Sequence, residues 1–455
     1  MDEKQLNYEF MSILSESHPG LTFEEYRDSC VFLLFYQYLC IRFEDSLEER
    51  YAMSAMVRMA VRGKLQMPTF IKFIEAAAPF LVLAGAPFRL TDFSFYRKMS
   101  EVQSLEKQKS FARFIRKLIK KMDGWEDREL LLAHYGEMFE LLMSGFARMK
   151  KETYLSKGIQ DLHRMFFSQN VHTVKNIFLP GFQYGILLGA MTDHVKDTQI
   201  YGFEQKDSFR ELLEILCYMK DVPLDCVHLC KKEEWSGKKE YAALFDAIAI
   251  FMPDGVESGT LLMEDSPTIP AAALMKTVAK GEFPLILSAL PLLASKGIMT
   301  VVVPSALLYR EGKEALIRKY IVEEADCLEM VMLLPDNAFQ STGQNEVMLL
   351  FRKDRENEDV MFFDCSHMDN LEGERLLSIE KAWKERKSVP GFCARTDKKT
   401  IKDNDYNLNL PRYITRSVRM TEMDITKRRE RIEEIDRELA EIDRKIAMYR
   451  RDMEL

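Results

Sequence analysis

The spacing of apolar residues changes along the chain. Up to about residue 150, apolar positions recur at helical intervals, as in the segment YRDSCVFLLFYQYLCIRF. Thr22 precedes this segment and lies three residues before Glu25, a spacing that fits a capping box at the start of a helix. The pattern therefore predicts an N-terminal helical domain over residues 1–150.

A second amphipathic helix is predicted over SFARFIRKLIKKM (residues 110–122). Its apolar residues recur at helical spacing and predict a buried stripe of Phe111, Phe114, Ile115, Leu118, Ile119 and Met122. The cations fall on the other side of the helix: Arg113, Arg116, Lys117, Lys120 and Lys121. These cations either form a solvated face or contact phosphate groups, and the sequence leaves both interpretations open.

Between residues 151 and 366, short apolar runs alternate with helical stretches, which predicts an α/β domain with a parallel sheet and crossover helices. The predicted strands are NIFL (176–179), QIYGF (199–203), CVHLC (226–230), DAIAIF (246–251), IMTVVVP (298–304), CLEMVMLLP (327–335) and EVMLLFRK (346–353). The sixth and seventh runs are joined by DNAFQSTGQN, which is too short for a crossover helix. We therefore predict that these two strands form an antiparallel pair closing an otherwise parallel sheet.

The C-terminal part of the chain has a third pattern. Residues 367–421 are predicted to form a junction, and residues 422–455 a helix for partner association. The apolar residues of this predicted helix alternate in steps of three and four and form a heptad seam: Ile432, Ile435, Leu439, Ile442, Ile446, Tyr449 and Met453, with Ile425 adding a further heptad. A seam this narrow, flanked by dense charge, requires a partner helix. We expect it in another chain; the alternative is a helix folded back within the same chain.

Net charge, the lengths of apolar runs and the spacing of cysteines limit the class of protein. The net charge of −8 means that nucleic acid could be bound only through a local basic patch. No run of 18 apolar residues and no signal-like N-terminus occurs, so we expect a cytoplasmic protein without membrane contact. The eight cysteines include no CxxC pair and are expected to be free thiols.

The sequence gives little support for a metal-binding or nucleotide-binding site of a common type. Cys226, His228 and Cys230 would lie on one face of a strand, but a zinc site needs a fourth ligand or a water, and no second cluster occurs. We therefore expect no metal. Neither GxxxxGK[ST] nor HExxH occurs, so P-loop NTPases and zinc proteases are not indicated.

Several segments together resemble one known family. LTFEEYRDSCVFLLFYQYLCIRFED is similar to its N-terminal helical domain, the run from GIMTVVVP to EVMLLFRK to its closing strands, and DVMFFDCSHM with IKDNDYNLNLPRYI to its C-terminal junction. DNDYNLNLPRYI is the most specific of these, because generic fold constraints do not require so polar a segment. The chain thus resembles the modification (M) subunit of type I restriction-modification systems, the N6-adenine DNA methyltransferases. The resemblance implies a seven-stranded Rossmann-like methyltransferase sheet and a C-terminal helix that packs on a specificity (S) subunit.

The resemblance also implies a site for S-adenosylmethionine, which this sequence has partly lost. The family's D-P-x-C-G-x-G loop corresponds to IFLPGFQYGILL, where Leu179 replaces the Asp and Gln183 the first Gly of G-x-G. Pro180 and Gly185 remain, and Glu204 stands where the family has an acidic residue that binds the ribose. The third-strand Asp of the family has no counterpart in VHLCKKEEW. We interpret Glu204, Pro180 and Gly185 as the remnant of a cofactor site.

The family's catalytic loop, N-P-P-F or N-P-P-Y, follows the fourth strand. There the Asn oxygen and a proline carbonyl accept hydrogens from the target amine, and the aromatic ring stacks on the flipped base. In DAIAIFMPDG these positions are taken by Phe251, Met252, Pro253 and Asp254. Phe251 has no acceptor, and Asp254 places a negative charge where the base would stack. We therefore expect no catalytic residue and no bound cofactor.

Together these losses predict a catalytically silent M-subunit-like protein, a scaffold, DNA-binding or regulatory component of a restriction-modification or phage-defence assembly. Its expected partner is a specificity-subunit-like protein or another methyltransferase-like subunit, and DNA is a further candidate ligand. One alternative is an active S-adenosylmethionine-dependent N6-adenine DNA methyltransferase with a divergent site, using the backbone carbonyls of Phe251 and Met252. Another is a protein–protein adaptor without DNA contact.

Overall fold

The computed structural model describes most of the chain up to residue 414. The described residues are 20–45, 47–77, 104–122, 128–149, 156–170, 174–180, 198–203, 207–220, 222–230, 241–251, 282–335 and 345–414, together with 12, 82–83, 86–87 and 97. The predicted heptad seam, from Ile432 to Met453, lies outside these residues.

Helices dominate the described N-terminal part: α1 (Phe23–Arg42), α2 (Met53–Val61), α3 (Met67–Ala77), α4 (Leu105–Met122) and α5 (Arg128–Met149). The predicted capping box is confirmed, because the Thr22 hydroxyl accepts the Glu25 N–H and the Glu25 carboxylate accepts the Thr22 N–H. The predicted apolar stripe of α4 is confirmed as well, since all six residues are buried. Two strands of two residues each, Val82–Leu83 and Ala86–Pro87, also pair antiparallel in this part.

The remaining helices accompany the sheet: α6 (Lys157–Asn170), α7 (Asp207–Met219), α8 (Glu282–Ala289), α9 (Lys313–Lys319), α10 (Glu374–Glu385) and α11 (Lys398–Asp403). A π-helical turn, Tyr320–Glu324, continues α9. Short 3-10 turns occupy Glu49–Tyr51, Leu224–Cys226, Leu290–Leu292, Ser305–Leu308 and Leu410–Arg412.

Nine described strands form one mixed sheet: β1 (Asn176–Pro180), β2 (Gln199–Phe203), β3 (Val227–Cys230), β4 (Phe245–Phe251), β5 (Leu293–Pro304), β6 (Leu328–Leu333), β7 (Glu346–Arg352), β8 (Val360–Asp364) and β9 (Cys393–Thr396). Their order is β9-β8-β6-β7-β5-β4-β1-β2-β3. β7 and β9 run antiparallel to their neighbours, and the other pairs are parallel.

The seven predicted strands are all present, but the predicted count was too low for the sheet. The antiparallel pairing of β6 with β7 is confirmed, yet this pair does not close the sheet. β7 inserts between β5 and β6, and β8 and β9 add two strands beyond β6. β9 lies inside the predicted junction of residues 367–421, where its four residues are too few for a clear alternating pattern.

Two apolar clusters cover the two faces of the sheet. One contains Leu179 of β1 together with side chains of α1 to α7, so it extends from the N-terminal helices onto the sheet. The other contains Phe178 and side chains of α8, α9 and residues 401–414. Successive strand residues point to opposite faces, which is why Phe178 and Leu179 fall into different clusters. The domain boundary at residue 150 stays a prediction.

Among the described residues, no helix combines the length and the apolar character needed to span a lipid bilayer.

Candidate functional site

The candidate site lies at the carboxyl ends of β1 and β4. From β1 the chain proceeds through β2 and β3 on one side and continues with β4 on the other side of β1. In open α/β sheets, ligands bind in the crevice at the carboxyl ends of the strands where the order reverses. In this sheet Pro180 ends β1 and Phe251 ends β4 beside that crevice.

Two hydrogen bonds at the opposite, amino-terminal ends of the strands fix β4 against β1. Asp246 Oδ2 accepts the backbone N–H of Lys175 at 2.8 Å and that of Asn176 at 3.0 Å. These bonds hold β4 in register with β1, in which Phe178 pairs with Ile248. Because the strands are parallel, the register places Pro180 and the last residues of β4 side by side at the candidate site.

Phe251 packs into the apolar cluster that includes the N-terminal helices, on one face of the sheet, and is only 8% exposed. Ala247 and Ala249 belong to the same cluster, as the alternation of a strand requires. A phenyl ring offers no hydrogen-bond acceptor to an amine. The end of β4 therefore presents an apolar, buried side chain where the resembled methyltransferases have an Asn.

Leu179 belongs to the same cluster and is fully buried. It is the residue predicted to replace the acidic residue of the resembled family's cofactor loop. An unpaired carboxylate would be costly in this environment, whereas the leucine fits it. Leu179 and Phe251, from adjacent strands, thus extend the apolar core up to the edge of the candidate site.

The other predicted site residues are only partly visible. Pro180 is the buried last residue of β1, one residue beyond the predicted strand, and its role in a cofactor site stays a prediction. Gly185 and Glu204 lie outside the described residues, and so do Met252, Pro253 and Asp254. Their assignment as a cofactor remnant and a degenerate catalytic loop stays a prediction.

The cysteine and histidine side chains around β3 contact the neighbouring strand. His228 Nε2 lies 2.6 Å from Gln199 Oε1, and its ring stacks on Tyr201 with the centroids 4.6 Å apart. Cys230 Sγ lies 3.7 Å from the Gly202 carbonyl oxygen. Cys226 belongs to the 3-10 turn before β3, so the prediction that it shares a strand with His228 was wrong. The described residues include no group of three or more ligands able to hold a metal ion.

The sequence matches the N-6 DNA Methylase family over residues 133–422, which is more than half of the chain. The chain belongs to this family.

Curated relatives of this N-6 DNA methylase family chain are type I methylase subunits. The type I restriction enzyme MjaVII methylase subunit of Methanocaldococcus jannaschii is 24% identical over 341 residues, covering 68% of this chain and 57% of the relative. The MjaVIII methylase subunit of the same organism is 35% identical over 128 residues, covering 25% of this chain and 22% of the relative. The corresponding MpnII subunit of Mycoplasma pneumoniae is 28% identical over 165 residues, covering 34% and 30%. The matches thus span between 22% and 57% of the length of these relatives.

Solved structures agree with the fold. The methyltransferase subunit of a type I restriction-modification system from Streptococcus thermophilus has a TM-score of 0.68 at 18% identity, covering 90% of this chain and 98% of that chain. A chain from a structure on complex assembly of a type I R-M system has a TM-score of 0.56 at 14% identity, covering 96% and 97%. The prediction of a methyltransferase-like α/β fold with M-subunit likeness is confirmed.

In this member of the N-6 DNA Methylase family, the segment DNDYNLNLPRYI (403–414) packs against the sheet. The buried guanidinium of Arg318 donates to the Tyr406 carbonyl at 2.9 Å and to the Leu307 carbonyl at 3.0 Å. The Tyr413 ring stacks on Phe362 of β8, with the centroids 4.1 Å apart. The described part of the segment is therefore a structural element that anchors the chain just before residue 415.

The five predicted DNA-binding cations of α4 have different surroundings. Arg113, Lys117 and Lys120 are exposed, whereas Arg116 and Lys121 are half-buried. Lys121 Nζ donates to the Ser12 carbonyl at 2.9 Å, so this cation is engaged within the chain. The cations therefore do not act as one uniform solvated face.

One buried polar residue, His163, was not predicted from the sequence. His163 of α6 is fully buried, and its Nδ1 lies 2.6 Å from Thr300 Oγ1 in the middle of β5. Burial lowers the pKa of His163 to about 3, so the ring is neutral at physiological pH. A single histidine in an amphipathic helix carries no local signal that could reveal such a partner.

Proposed function

We propose that this chain is a catalytically silent M-subunit-like protein that serves as a scaffold, DNA-binding or regulatory component of a restriction-modification or phage-defence assembly. Membership of the N-6 DNA methylase family and the likeness to type I methylase subunits support the assembly part of the proposal. The burial of Phe251 at the end of β4 is the observation that supports the proposal that the chain is catalytically silent.

The physical reason lies in what transfer to an adenine N6 requires. The amine must be held by acceptors so that its lone pair points at the methyl group, and this positioning contributes much of the rate. A phenyl ring cannot supply an acceptor, and its packing in the core opposes a rotation toward the crevice. Leu179 supports the same conclusion at the cofactor loop.

The test is a calorimetric titration with S-adenosylmethionine, followed by a radiometric methyl-transfer assay on unmethylated DNA. We expect no heat at millimolar ligand and no label transferred. Glu204→Ala is the matched control for the remnant site, and it is expected to behave as the parent protein. Micromolar binding that disappears in Glu204→Ala, together with transfer to DNA, would show an active enzyme with a divergent site and overturn the proposal.

Restoring the loop provides a complementary test. The variant Phe251→Asn, Met252→Pro, Asp254→Phe recreates N-P-P-F while keeping Pro253. We expect it to remain inactive because the cofactor loop still lacks its acidic residue and first glycine. Methyl transfer by this variant, but not by the parent protein, would mean that the catalytic loop alone silences the site and that the cofactor pocket survives.

The proposed partner is a specificity-subunit-like protein or another methyltransferase-like subunit, contacted through the heptad seam. Leu439→Asp places a charge in the seam, whereas Arg437→Asp places the same charge on the opposite face of the predicted helix. In sedimentation velocity with the co-expressed partner, Leu439→Asp is expected to lose association by at least about tenfold, since a buried unpaired charge is costly. If both variants associate with the partner equally well, the proposal that the seam binds the partner is contradicted.

A further inference from the structure

A pocket of about 380 Å³ lies in the N-terminal helical region, between the end of α2, the start of α3 and one face of α4. Its volume falls within the roughly 300–1,000 Å³ typical of small-molecule sites. The described residues that line it are Gly63, Leu65, Gln66, Pro68, Leu105, Gln108, Lys109, Ala112, Arg113 and Arg116.

The lining combines apolar side chains with cations. Leu65 and Ala112 are buried beneath the pocket, and Leu105 is 65% exposed at its side. Lys109, Arg113 and Arg116 also line it, and none of the described lining residues is acidic. The chemistry favours a ligand that is anionic at one end and apolar at the other.

Within the part of the chain that the structure describes, the two guanidinium groups are held without a carboxylate partner. Arg116 Nε donates to the Ala112 carbonyl and Nη1 to the Gly63 carbonyl, both at 3.1 Å. To the described residues, Arg113 makes two long contacts, at 3.4 Å to the Lys109 carbonyl and at 3.5 Å to Ser110 Oγ. Among the described residues, no Asp or Glu lies within ion-pair distance of either arginine. Planar guanidinium forks match the oxygen geometry of phosphate and can bind it in a bidentate manner.

Helix geometry aligns these cations. Lys109, Arg113, Arg116 and Lys120 follow one another at intervals of four, three and four residues, so they share one face of α4. Lys120 lies on the same face but does not line the pocket. It therefore provides a cation of matched charge and exposure outside the site.

We propose that this pocket binds a phosphate ester, with Arg113 and Arg116 on the phosphate and Leu65 and Ala112 against the attached organic group. The phosphate ester comes either from a free nucleotide or from a nucleic-acid backbone. Only the second source rests on the proposed DNA-binding role. The pocket itself does not depend on whether the chain transfers methyl groups.

The experiment measures binding of deoxyadenosine monophosphate, adenosine and a short DNA duplex to the full chain by calorimetry and fluorescence anisotropy. Arg113→Ala and Arg116→Ala remove the phosphate contacts, Lys120→Ala is the matched charge control, and Ala112→Leu fills the pocket without changing charge. Thermal unfolding of each variant checks that it is folded. Arg113 is exposed, so Arg113→Ala keeps the test decisive if Arg116→Ala or Ala112→Leu unfolds.

We expect the monophosphate to bind and adenosine not to bind. We expect Arg113→Ala, Arg116→Ala and Ala112→Leu to weaken monophosphate binding at least tenfold. Lys120→Ala is expected to leave monophosphate binding within twofold, because Lys120 does not line the pocket. If only the duplex binds, with the same dependence on Arg113 and Ala112, nucleic acid is the source of the phosphate. If only the monophosphate binds, a free nucleotide is the source, and the proposed DNA-binding role fails while the pocket stands. Absence of binding to both probes, or equal losses of monophosphate affinity in Lys120→Ala and Arg113→Ala, would overturn the proposed site.

Discussion

Replacing Arg386 with alanine is expected to lower the free energy of unfolding by about 3 kcal/mol. Arg386 lies between two nearly buried carboxylates, with Nη1 3.3 Å from Glu329 Oε1 and Nη2 3.1 Å from Asp359 Oδ1. Removing one partner leaves buried charge poorly compensated, which costs about 3 to 5 kcal/mol for an isolated pair. We expect the lower value because Glu329 keeps Arg352 and Asp359 keeps Arg395. Urea unfolding followed by circular dichroism measures the change.

The pKa of Asp359 reports the same interaction. Burial alone would raise it, but the charge of Arg386 and the hydrogen bonds from Arg395 and Arg386 lower it below its usual value. Asp359 thus contributes stability that is present above its unfolded pKa and is lost as pH falls through its folded pKa. In Arg386→Ala this contribution is expected to shrink.

Lys387→Ala is the matched control, since this neighbouring cation has a side chain 75% exposed and lies 3.7 Å from Glu385. An exposed pair of this kind contributes less than about 1 kcal/mol. The network lies at the amino ends of β6 and β8, opposite the candidate site edge, so ligand binding should be unchanged in folded Arg386→Ala. Equal destabilisation by the two variants would show that the buried network adds nothing.

Acidification is expected to destabilise the protein through His163. Its pKa is lowered to about 3 by burial, whereas an unfolded histidine titrates near 6.5. Between these values the unfolded state binds more protons, so stability falls as pH decreases from about 6.5 toward 3. Lowering the pH from 7 to 4.5 should therefore cost about 2 to 3 kcal/mol from this residue.

The variant His163→Asn isolates this contribution from that of the carboxylates. Its amide can keep a hydrogen bond to Thr300, but it does not titrate. Denaturant midpoints of both proteins at pH 7 and 4.5 give the comparison. We expect the parent protein to lose about 2 kcal/mol more than His163→Asn on acidification. The same loss in both proteins would mean that His163 does not govern the acid response.

Seven of the nine described strands of the sheet were predictable because their signal is local. NIFL, QIYGF and EVMLLFRK are short apolar runs between polar segments, and each coincides with an observed strand to within a residue. The start of α1 was predictable for the same reason, since Thr22 and Glu25 bond to each other within one turn.

The chemistry of the site was predictable only in part. The sequence identified Leu179 and Phe251 as departures from the family pattern, and the structure adds that both are buried on one face of adjacent strands. The proposed phosphate pocket could not have been predicted, because Gly63 and Leu65 of the connection between α2 and α3 meet Arg113 of α4 only through tertiary packing. The periodicity of α4 places its cations on one side but does not reveal which of them have partners.

The sequence alone determined the start of α1, the apolar stripe of α4 and seven of the nine described strands of the sheet, because each depends on residues within a few positions of one another. Tertiary structure decided that β7 inserts between β5 and β6, that β8 and β9 extend the sheet, and that His163 meets Thr300. Those contacts join residues far apart in the chain. They are selected by the packing of the whole core, which no local pattern encodes.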